Sequence, residues 1–508
     1  MKTIFLMFDS LNRRALECYG GSAVTPNFSR LARRGVTFEN HYVGSLPCMP
    51  ARRDIQTGRL NFMHRSWGPL EPFDICFPDI MKRTGIHSHL ITDHYHYFED
   101  GGMNYQNRYA TWELERGQEW DPWKALVDVP DARFRKAYHP LQYAPPRAPG
   151  GRAQGMVNRE FISAEEEYSM PRCFARAIDF LDVNRSADGW FLQLECFDPH
   201  EPFAAPDRFR SHYATGYNGP TLDWPLYKRV EESALEIDEI RANYMALVSM
   251  CDTYLGKLLD YMDSNAMWDD TAIIVTTDHG FMLGEHDWWA KSRMPFYNEI
   301  ANIPLIVVHP RHADLAGQRR RSLTQNIDLM PTLLGWYGQE VPETVCGHPL
   351  DPVLERDESS RSIALYGQFG AALNVSDGRY TYFRYPEGTY DLDSQDIFEY
   401  TLMPTHQQDF FSESEFDGAE LVRGFGFMRG FPVMKIPARK VVARGQGRNI
   451  EDTVTVLYDL ENDPRQENPI RNDAVTSRLE ADMCRVMERH EAPEEAYTRL
   501  GLDPRSPR

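Results

Sequence analysis

No run of about 18 apolar residues occurs anywhere in the chain, so nothing in it reads as a membrane-spanning helix. Paired cysteines are also missing. The eight cysteines, Cys18, Cys48, Cys76, Cys173, Cys196, Cys251, Cys346 and Cys484, are scattered over 508 residues. None forms a Cys-x-x-Cys pair, which excludes a disulfide scaffold and a zinc-ribbon site. Positive charge is in deficit as well. Lys and Arg number 55 against 75 Asp and Glu, a formal net charge of −20. A nucleic-acid partner would need a basic face, and an anionic membrane surface would repel this chain. The opening apolar segment, Ile4 to Phe8, is too short for the core of a signal peptide and has no small-residue cleavage site after it. The chain as given is therefore expected to be cytoplasmic, with a trimmed export signal left open.

What is present is the pattern of an α/β protein. Ile4–Phe8 is a continuous apolar run ending on Asp9, as a buried parallel strand would be. Thr25-Pro26-Asn27 opens a helix that runs to Arg34, with Pro26 suited to the first turn and Gly35 to the stop. Val36–Tyr42 reads as a strand, Pro50–Thr57 as a helix stopped by Gly58, and Phe77–Thr84 as a helix stopped by Gly85. Further strands are expected at Ser88–Thr92, Trp190–Cys196, Thr271–Thr277 and Ile303–Val308. Helices are expected at Pro171–Val183 and Glu231–Ser264. The aromatic-, Gly- and Pro-rich stretch from Asp93 to about Arg152 reads as long loops that help build a pocket. Alternating strands and helices predict a large, mostly parallel sheet between helical layers. After about Gly347 the texture changes. Ile363–Tyr366 and Arg379–Tyr385 look like antiparallel strands, Asn472–Glu491 like a closing helix, and Asp503–Arg508 like a frayed end. The expected division is a catalytic domain over 1–346 and a smaller α+β subdomain over 347–508.

In a parallel α/β sheet, functional groups gather at the carboxyl ends of the strands. Asp9 and Asp278 each follow a strong strand, and His279 stands beside the second. Two carboxylates and an imidazole at one sheet edge fit a divalent metal ion.

The motif that decides the reading is Cys48-Met49-Pro50-Ala51-Arg52, followed by Thr57-Gly58-Arg59. Together these resemble the signature of the formylglycine-dependent sulfatases, members of the alkaline-phosphatase-like superfamily. Further segments resemble that family in order. They are the lead-in Thr25-Pro26-Asn27 with Gly35-Val36-Thr37-Phe38, then Phe197-Asp198-Pro199-His200-Glu201-Pro202-Phe203, then Thr277-Asp278-His279-Gly280 with Leu283-Gly284-Glu285-His286 and Lys291. Leu457-Tyr458-Asp459-Leu460 with Asp463-Pro464 resembles its C-terminal closing element.

The resemblance implies a sulfuric ester hydrolase in which Cys48 is oxidised to formylglycine by a maturation enzyme. Hydrated formylglycine would attack sulfur, form a covalent sulfo-enzyme, and then expel sulfate. It implies a metal held by Asp9, Asp278, His279 and the residue at position 48. Arg52, His200 and Lys291 would join Cys48 in catalysis, and His286 would face the substrate, a small-molecule or saccharide sulfate ester; His94 and His96 are expected there too, not from the resemblance but as stand-ins for a cationic or basic group the family has and this chain lacks.

Two departures stand out. The family's usual acidic pair is Asp9-Ser10 here, and His279 replaces an amide, which tilts the metal from Ca²⁺ toward Mn²⁺. At Thr92-Asp93-His94-Tyr95-His96 the family's Gly-Lys-x-His is missing; if the segment is strand-like, His94 and His96 share a side. The competing functions are a phosphonate monoester or phosphodiester hydrolase of the same superfamily and, more remotely, a non-catalytic glycan-binding protein.

Overall fold

A computed structural model of the chain describes all residues except 147–150, 294, 360, 387–396, 439–453 and 504–508. Most of the end expected to fray lies outside the described residues.

The first strand, Lys2–Phe8, is the middle of an eight-stranded sheet. Parallel neighbours flank it, Trp190–Cys196 on one side and Thr271–Thr277 on the other. Beyond Trp190–Cys196 lie His87–Thr92 and Thr111–Leu114, both parallel. Beyond Thr271–Thr277 the sheet turns mixed. Leu305–Val308 runs antiparallel to it, followed by Val36–Phe38 and Arg319–Arg320.

The apolar runs are explained by two-sided burial. Along the first strand Ile4, Leu6 and Phe8 enter one core cluster, and Phe5 and Met7 enter the other. Helices Pro26–Arg34, Ser169–Asn184 and Ala234–Ser264 cover the first face; Cys48–Thr57, Phe77–Arg83 and Leu329–Trp336 cover the second. The long helix Ala234–Ser264 starts on a capping box, Ser233 with Glu236, which satisfies two backbone N–H groups at its exposed end. Among the described residues no helix is long and apolar enough to cross a membrane.

Two expectations are corrected. The stretch from Asp93 to Arg152 is not simply loop. Thr111–Leu114 adds the edge strand, Asp131–Ala137 is a helix, and Tyr95, Tyr97, Tyr105 and Tyr109 are buried. Tyrosine and tryptophan density there reports aromatic packing under the sheet edge as much as a pocket wall. The single strand expected over Val36–Tyr42 is two short ones, Val36–Phe38 and His41–Tyr42, which pair with different partners.

The C-terminal portion carries a second sheet in the order Val456–Asp459, Tyr380–Arg384, Leu373–Ser376, Ala364–Gln368 and Ser45–Leu46. Its first four strands are antiparallel. The fifth, Ser45–Leu46, comes from the residues just before Cys48 and pairs in parallel. Leu60, Phe62 and Met63 share a core cluster with Leu479, Met483 and Met487 of the closing helix Asp473–Arg489. The second sheet therefore grips the segment that leads into the Cys48 helix.

Buried imidazoles make the fold sensitive to acid. His41 and His64 are 0% and 3% exposed, and burial pushes both down to about 3 from the ordinary 6.5. The unfolded chain takes up protons at these sites below about pH 6.5, and the folded chain does not until about 3. Stability is therefore full above pH 6.5 and drains as the pH falls through that window. A urea-midpoint series from pH 7 to 4 should show a falling midpoint. His64→Gln, which carries no titrating group, should flatten that slope.

Candidate active site

Four strand ends meet at one edge of the sheet. Phe8 delivers Asp9 and Ser10, Thr277 delivers Asp278 and His279, Cys196 delivers Phe197 to Glu201, and Thr92 delivers Asp93 to His96. The Cys48–Thr57 helix points its first turn into this edge, and all ten of its residues are buried. Gly58 ends the helix at φ +64°, a left-handed stop that suits a residue without Cβ.

Arg52 lies one turn into that helix and is 1% exposed. Its Nη2 donates to Asp9 Oδ2 at 2.9 Å, its Nη1 to Asp278 Oδ2 at 2.6 Å, and its Nε to Glu195 Oε1 at 2.7 Å. Burial works against its charge, but Glu195, Asp278 and Asp9 outweigh that and hold it firmly protonated. Glu195 also accepts from Tyr97 Oη at 2.9 Å and Gln193 Nε2 at 2.8 Å. Arg52 thus positions the carboxylates. It does not line the cavity described below.

Asp9 and Asp278 are both fully buried. Burial alone would raise Asp9, but Lys291 and then Arg52 hold its carboxyl well below the usual range. Asp278 Oδ1 accepts from the backbone N–H of Ser10 at 3.0 Å and of His279 at 2.8 Å. His279 Nδ1 lies 2.9 Å from the Gly280 carbonyl, which assigns the ring proton to Nδ1. Its Nε2 lone pair is then turned toward Cys48 Sγ at 3.3 Å, with Asp278 Oδ2 at 3.5 Å.

Asp9, Cys48, Asp278 and His279 each offer one ligand atom, all within 4.8 Å of one another. Three carboxylates here face only two cations, Arg52 and Lys291. This donor set, with the imidazole lone pair directed inward, fits a divalent ion.

Ser10 and Lys291 form one relay. Lys291 Nζ donates to Ser10 Oγ at 2.8 Å, and Ser10 Oγ donates to Asp9 Oδ1 at 2.7 Å. Lys291 is 2% exposed, and its pKa is raised despite burial by the surrounding acidic groups. His200 is buried too, and its Nδ1 donates to the Glu201 carbonyl at 2.7 Å, leaving Nε2 as the free nitrogen. Burial holds this imidazole down to about 4, against the pull of Glu201. Cys48 is likewise pushed well above its ordinary value by burial and then by Asp9, so as a cysteine it is a protonated thiol.

Cys48, His200 and Lys291 line one cavity of about 430 Å³. Of the three histidines expected at the substrate, the structure brings only His96 to this cavity. The segment is not a strand but a tight helical turn over Tyr95–Phe98, with His94 as its cap. His94 is fully enclosed behind His96, its ring 4.8 Å from Phe197 and 5.1 Å from His96. His286 lies outside the cavity lining, stacked on Tyr297 with centroids 3.6 Å apart. A positive φ at His286 (51°) and at Asp287 (66°) turns the chain there and swings the ring away.

Sequence reasoning missed Glu195, Glu119, Tyr227 and Trp67. Only Glu195 left a signal: with Gln193 it interrupts an otherwise apolar buried strand on alternate residues, and a carboxylate so placed needs a buried cation.

A family model described as Sulfatase matches residues 2–339. The N-acetylglucosamine-6-O-sulfatase of Bacteroides thetaiotaomicron is 26% identical over 473 residues, covering 81% of this chain and 83% of that protein. The fold is shared with a protein solved in complex with its substrate D-glucosamine-2-N,6-O-disulfate, with a TM-score of 0.62, 18% identity, and coverage of 97% and 99%. It is also shared with the phosphonate monoester hydrolase of Agrobacterium radiobacter, with a TM-score of 0.63, 19% identity, and 96% of each chain covered. On the match over residues 2–339, the chain belongs to the sulfatase family.

Proposed function

We propose that this sulfatase cleaves a sulfate monoester of a carbohydrate or an aryl alcohol at the residue formed from Cys48. One observation carries the reading: Cys48 lies at the floor of a cavity, at a helix N-terminus, between the carboxylate–imidazole cluster and the pair His200 and Lys291. A helix N-terminus favours the approach of an anion.

Asp9, Asp278, His279 and the residue at position 48 would hold one divalent ion, Ca²⁺ or Mn²⁺. Such an ion, when bound, withdraws charge from sulfuryl oxygens and lowers the pKa of a nearby hydroxyl. Lys291 adds a fixed positive charge where the anion must sit. Arg52, turned to the three carboxylates, keeps the ligand oxygens in place rather than touching sulfate.

Cys48 is the precursor of formylglycine, installed by a maturation enzyme. The hydrated residue at position 48 displaces the alcohol from sulfur and forms a covalent sulfo-enzyme. Loss of a proton from its second hydroxyl then expels sulfate and restores the aldehyde. The departing alkoxide needs a proton or a cation beside it, and His200 Nε2 and Lys291 Nζ are the groups that supply it. His200 is neutral in the free site. The negative charge of a bound ester would draw its pKa upward, so it gains its proton together with the substrate.

The likeness of fold to a phosphonate monoester hydrolase supports a second reading, hydrolysis of phosphonate monoesters or phosphodiesters at the same site. Parallel kcat/KM values on an aryl sulfate and an aryl phosphonate separate the two.

Mass spectrometry of the Cys48 peptide, from protein made with a maturation enzyme, should show a loss of about 18 Da against the thiol, a product distinct from sulfenic or sulfinic acid. Cys48→Ala should release sulfate several orders of magnitude more slowly. Unchanged release would remove Cys48 from the reaction.

Chelation should abolish turnover with little change in far-ultraviolet circular dichroism, because the ion pairs between Arg52 and the carboxylates stay in place. Asp278→Asn should also abolish turnover and lower bound metal, and by taking a buried partner from Arg52 it should cost about 3–5 kcal/mol of stability in a urea titration. Wild-type rates and metal content in both Asp9→Asn and Asp278→Asn would place the ion elsewhere.

His200→Ala and Lys291→Ala should harm sugar sulfates far more than nitrophenyl sulfate, since an alkoxide needs help to leave and a nitrophenolate does not. On the sugar ester the expected loss is roughly 2.7–4 kcal/mol of barrier, about a hundred- to a thousandfold in rate. Equal losses on both ester classes would assign the two residues to sulfate binding.

A further inference from the structure

The cavity above Cys48 has an outer half whose chemistry differs from its floor. Its walls are Trp67, Trp120, Tyr227 and Phe369, and its acids are Glu119 and the rim residue Asp409. Trp120 is already stacked on Trp224 by one face, with centroids 6.0 Å apart and planes at 14°. Trp67 meets the ring of His96 edge-on at 4.9 Å. Among the described residues Lys291 is the only Lys or Arg in the lining, and it is committed to Ser10 at the floor. The two other wall histidines already face acids, His96 on Glu99 at 2.7 Å and His406 on Glu415 at 2.6 Å.

The acids on this side face imidazoles: His96 Nε2 lies 3.7 Å from Glu119 Oε2, and His200 Nδ1 lies 3.4 Å from Glu201 Oε2. Glu119 is 4% exposed and accepts only from Tyr95 Oη, at 2.8 Å, through Oε2. Glu201 is 1% exposed. Its Oε1 accepts from Tyr227 Oη at 2.5 Å and its Oε2 has no hydrogen-bond donor, but against burial His200 and then Lys291 hold its carboxyl below the ordinary value. Atoms of Glu119, Glu201 and His200 come within 4.8 Å of one another. Burial, and next the Glu201 carboxylate, push Glu119 well above its ordinary value. Glu119, unlike Glu201, lines the cavity, and its buried carboxyl is costly to ionise until a cation arrives beside it. A cation there would find Glu119 and the π-faces of the walls.

We infer that the leaving group of the natural substrate carries an organic cation, an ammonium or quaternary ammonium, seated between Glu119 and the aromatic walls of the cavity. The inference rests on the sulfate-ester reading above and deepens it. The substrate is then a zwitterion, with its sulfate at Cys48 and Lys291 and its positive end toward the mouth. Aromatic walls favour this occupant over a second metal ion, which would prefer oxygen ligands and water.

The test uses two esters of one shape and near-equal leaving-group basicity, because an ethylene spacer insulates the ring from the charge: 3-[2-(trimethylammonio)ethyl]phenyl sulfate and 3-(3,3-dimethylbutyl)phenyl sulfate, with matured, metal-loaded enzyme. The cationic ester should be preferred about tenfold or more in kcat/KM, chiefly through KM. Glu119→Gln, which keeps the shape, should bring the ratio toward one whatever its absolute rates. A ratio of one or less in the wild type, or a ratio untouched by Glu119→Gln, overturns the inference. If neither ester is cleaved, the sulfate-ester reading fails, and calorimetry still decides the cation. In that measurement 3-[2-(trimethylammonio)ethyl]phenol should bind more tightly than 3-(3,3-dimethylbutyl)phenol, and equal affinity overturns it. A second bound equivalent of Mn²⁺ that disappears in Glu119→Gln would give these carboxylates to a metal and overturn it too.

Discussion

The guanidinium of Arg52 is enclosed by three carboxylates that arrive from three neighbouring strands. Asp9, Glu195 and Asp278 come from the Lys2–Phe8, Trp190–Cys196 and Thr271–Thr277 segments, and each accepts one of its hydrogen bonds. A planar group with donors in fixed directions sets the spacing of these acids in a way a lysine could not. Leaving one of these buried charges without its partner typically costs about 3–5 kcal/mol, so the strand ends, the helix and the carboxylates stand or fall together. The Cys48 helix is thereby locked in register with the sheet edge. That register puts the Cys48 sulfur 3.3 Å from His279 Nε2.

The same arrangement explains why the site is poised for an anion. Arg52 spends its charge on the outer carboxylate oxygens. Lys291 remains at the cavity floor, tied to Asp9 through Ser10. Ser10 therefore has a role that differs from that of a second acidic ligand: it carries the influence of a cation to Asp9. Its positive φ of 59° lets its backbone N–H reach Asp278 while its hydroxyl reaches Asp9. Replacing an acid by a hydroxyl at this point lowers the negative charge of the cluster.

The floor and walls of the cavity come from different parts of the chain. The floor is built at strand ends, where the sheet holds positions tightly. The walls come from Trp67, from Glu119 and Trp120 in the long stretch before residue 152, and from Gln368, Phe369 and the four residues His406 to Asp409 in the C-terminal portion. Because Ser45–Leu46 pairs with Ala364–Gln368, the second sheet is joined to Cys48 through the single residue Pro47. The cluster of acids and imidazole thus sits at strand ends, and most of the cavity wall on connecting segments.

Several features were legible in the residues alone. The apolar runs ending on Asp9 and Asp278 marked strand ends, because a strand buried on both faces stays largely apolar until it leaves the sheet. The Cys48 to Arg52 spacing placed both residues on one turn of a helix, and Gly58 marked its end. The tertiary structure decided what Arg52 touches, since Glu195 lies 143 residues away and pairs with it only when two strands and a helix converge. It decided that Leu305–Val308 runs antiparallel, that His96 faces the cavity while His94 is hidden behind it, and that His286 turns to Tyr297. Local sequence carries the periodicity of an element and the identity of its ends. Where a side chain points after a turn depends on φ and ψ set by packing from distant segments, and no short-range pattern records that.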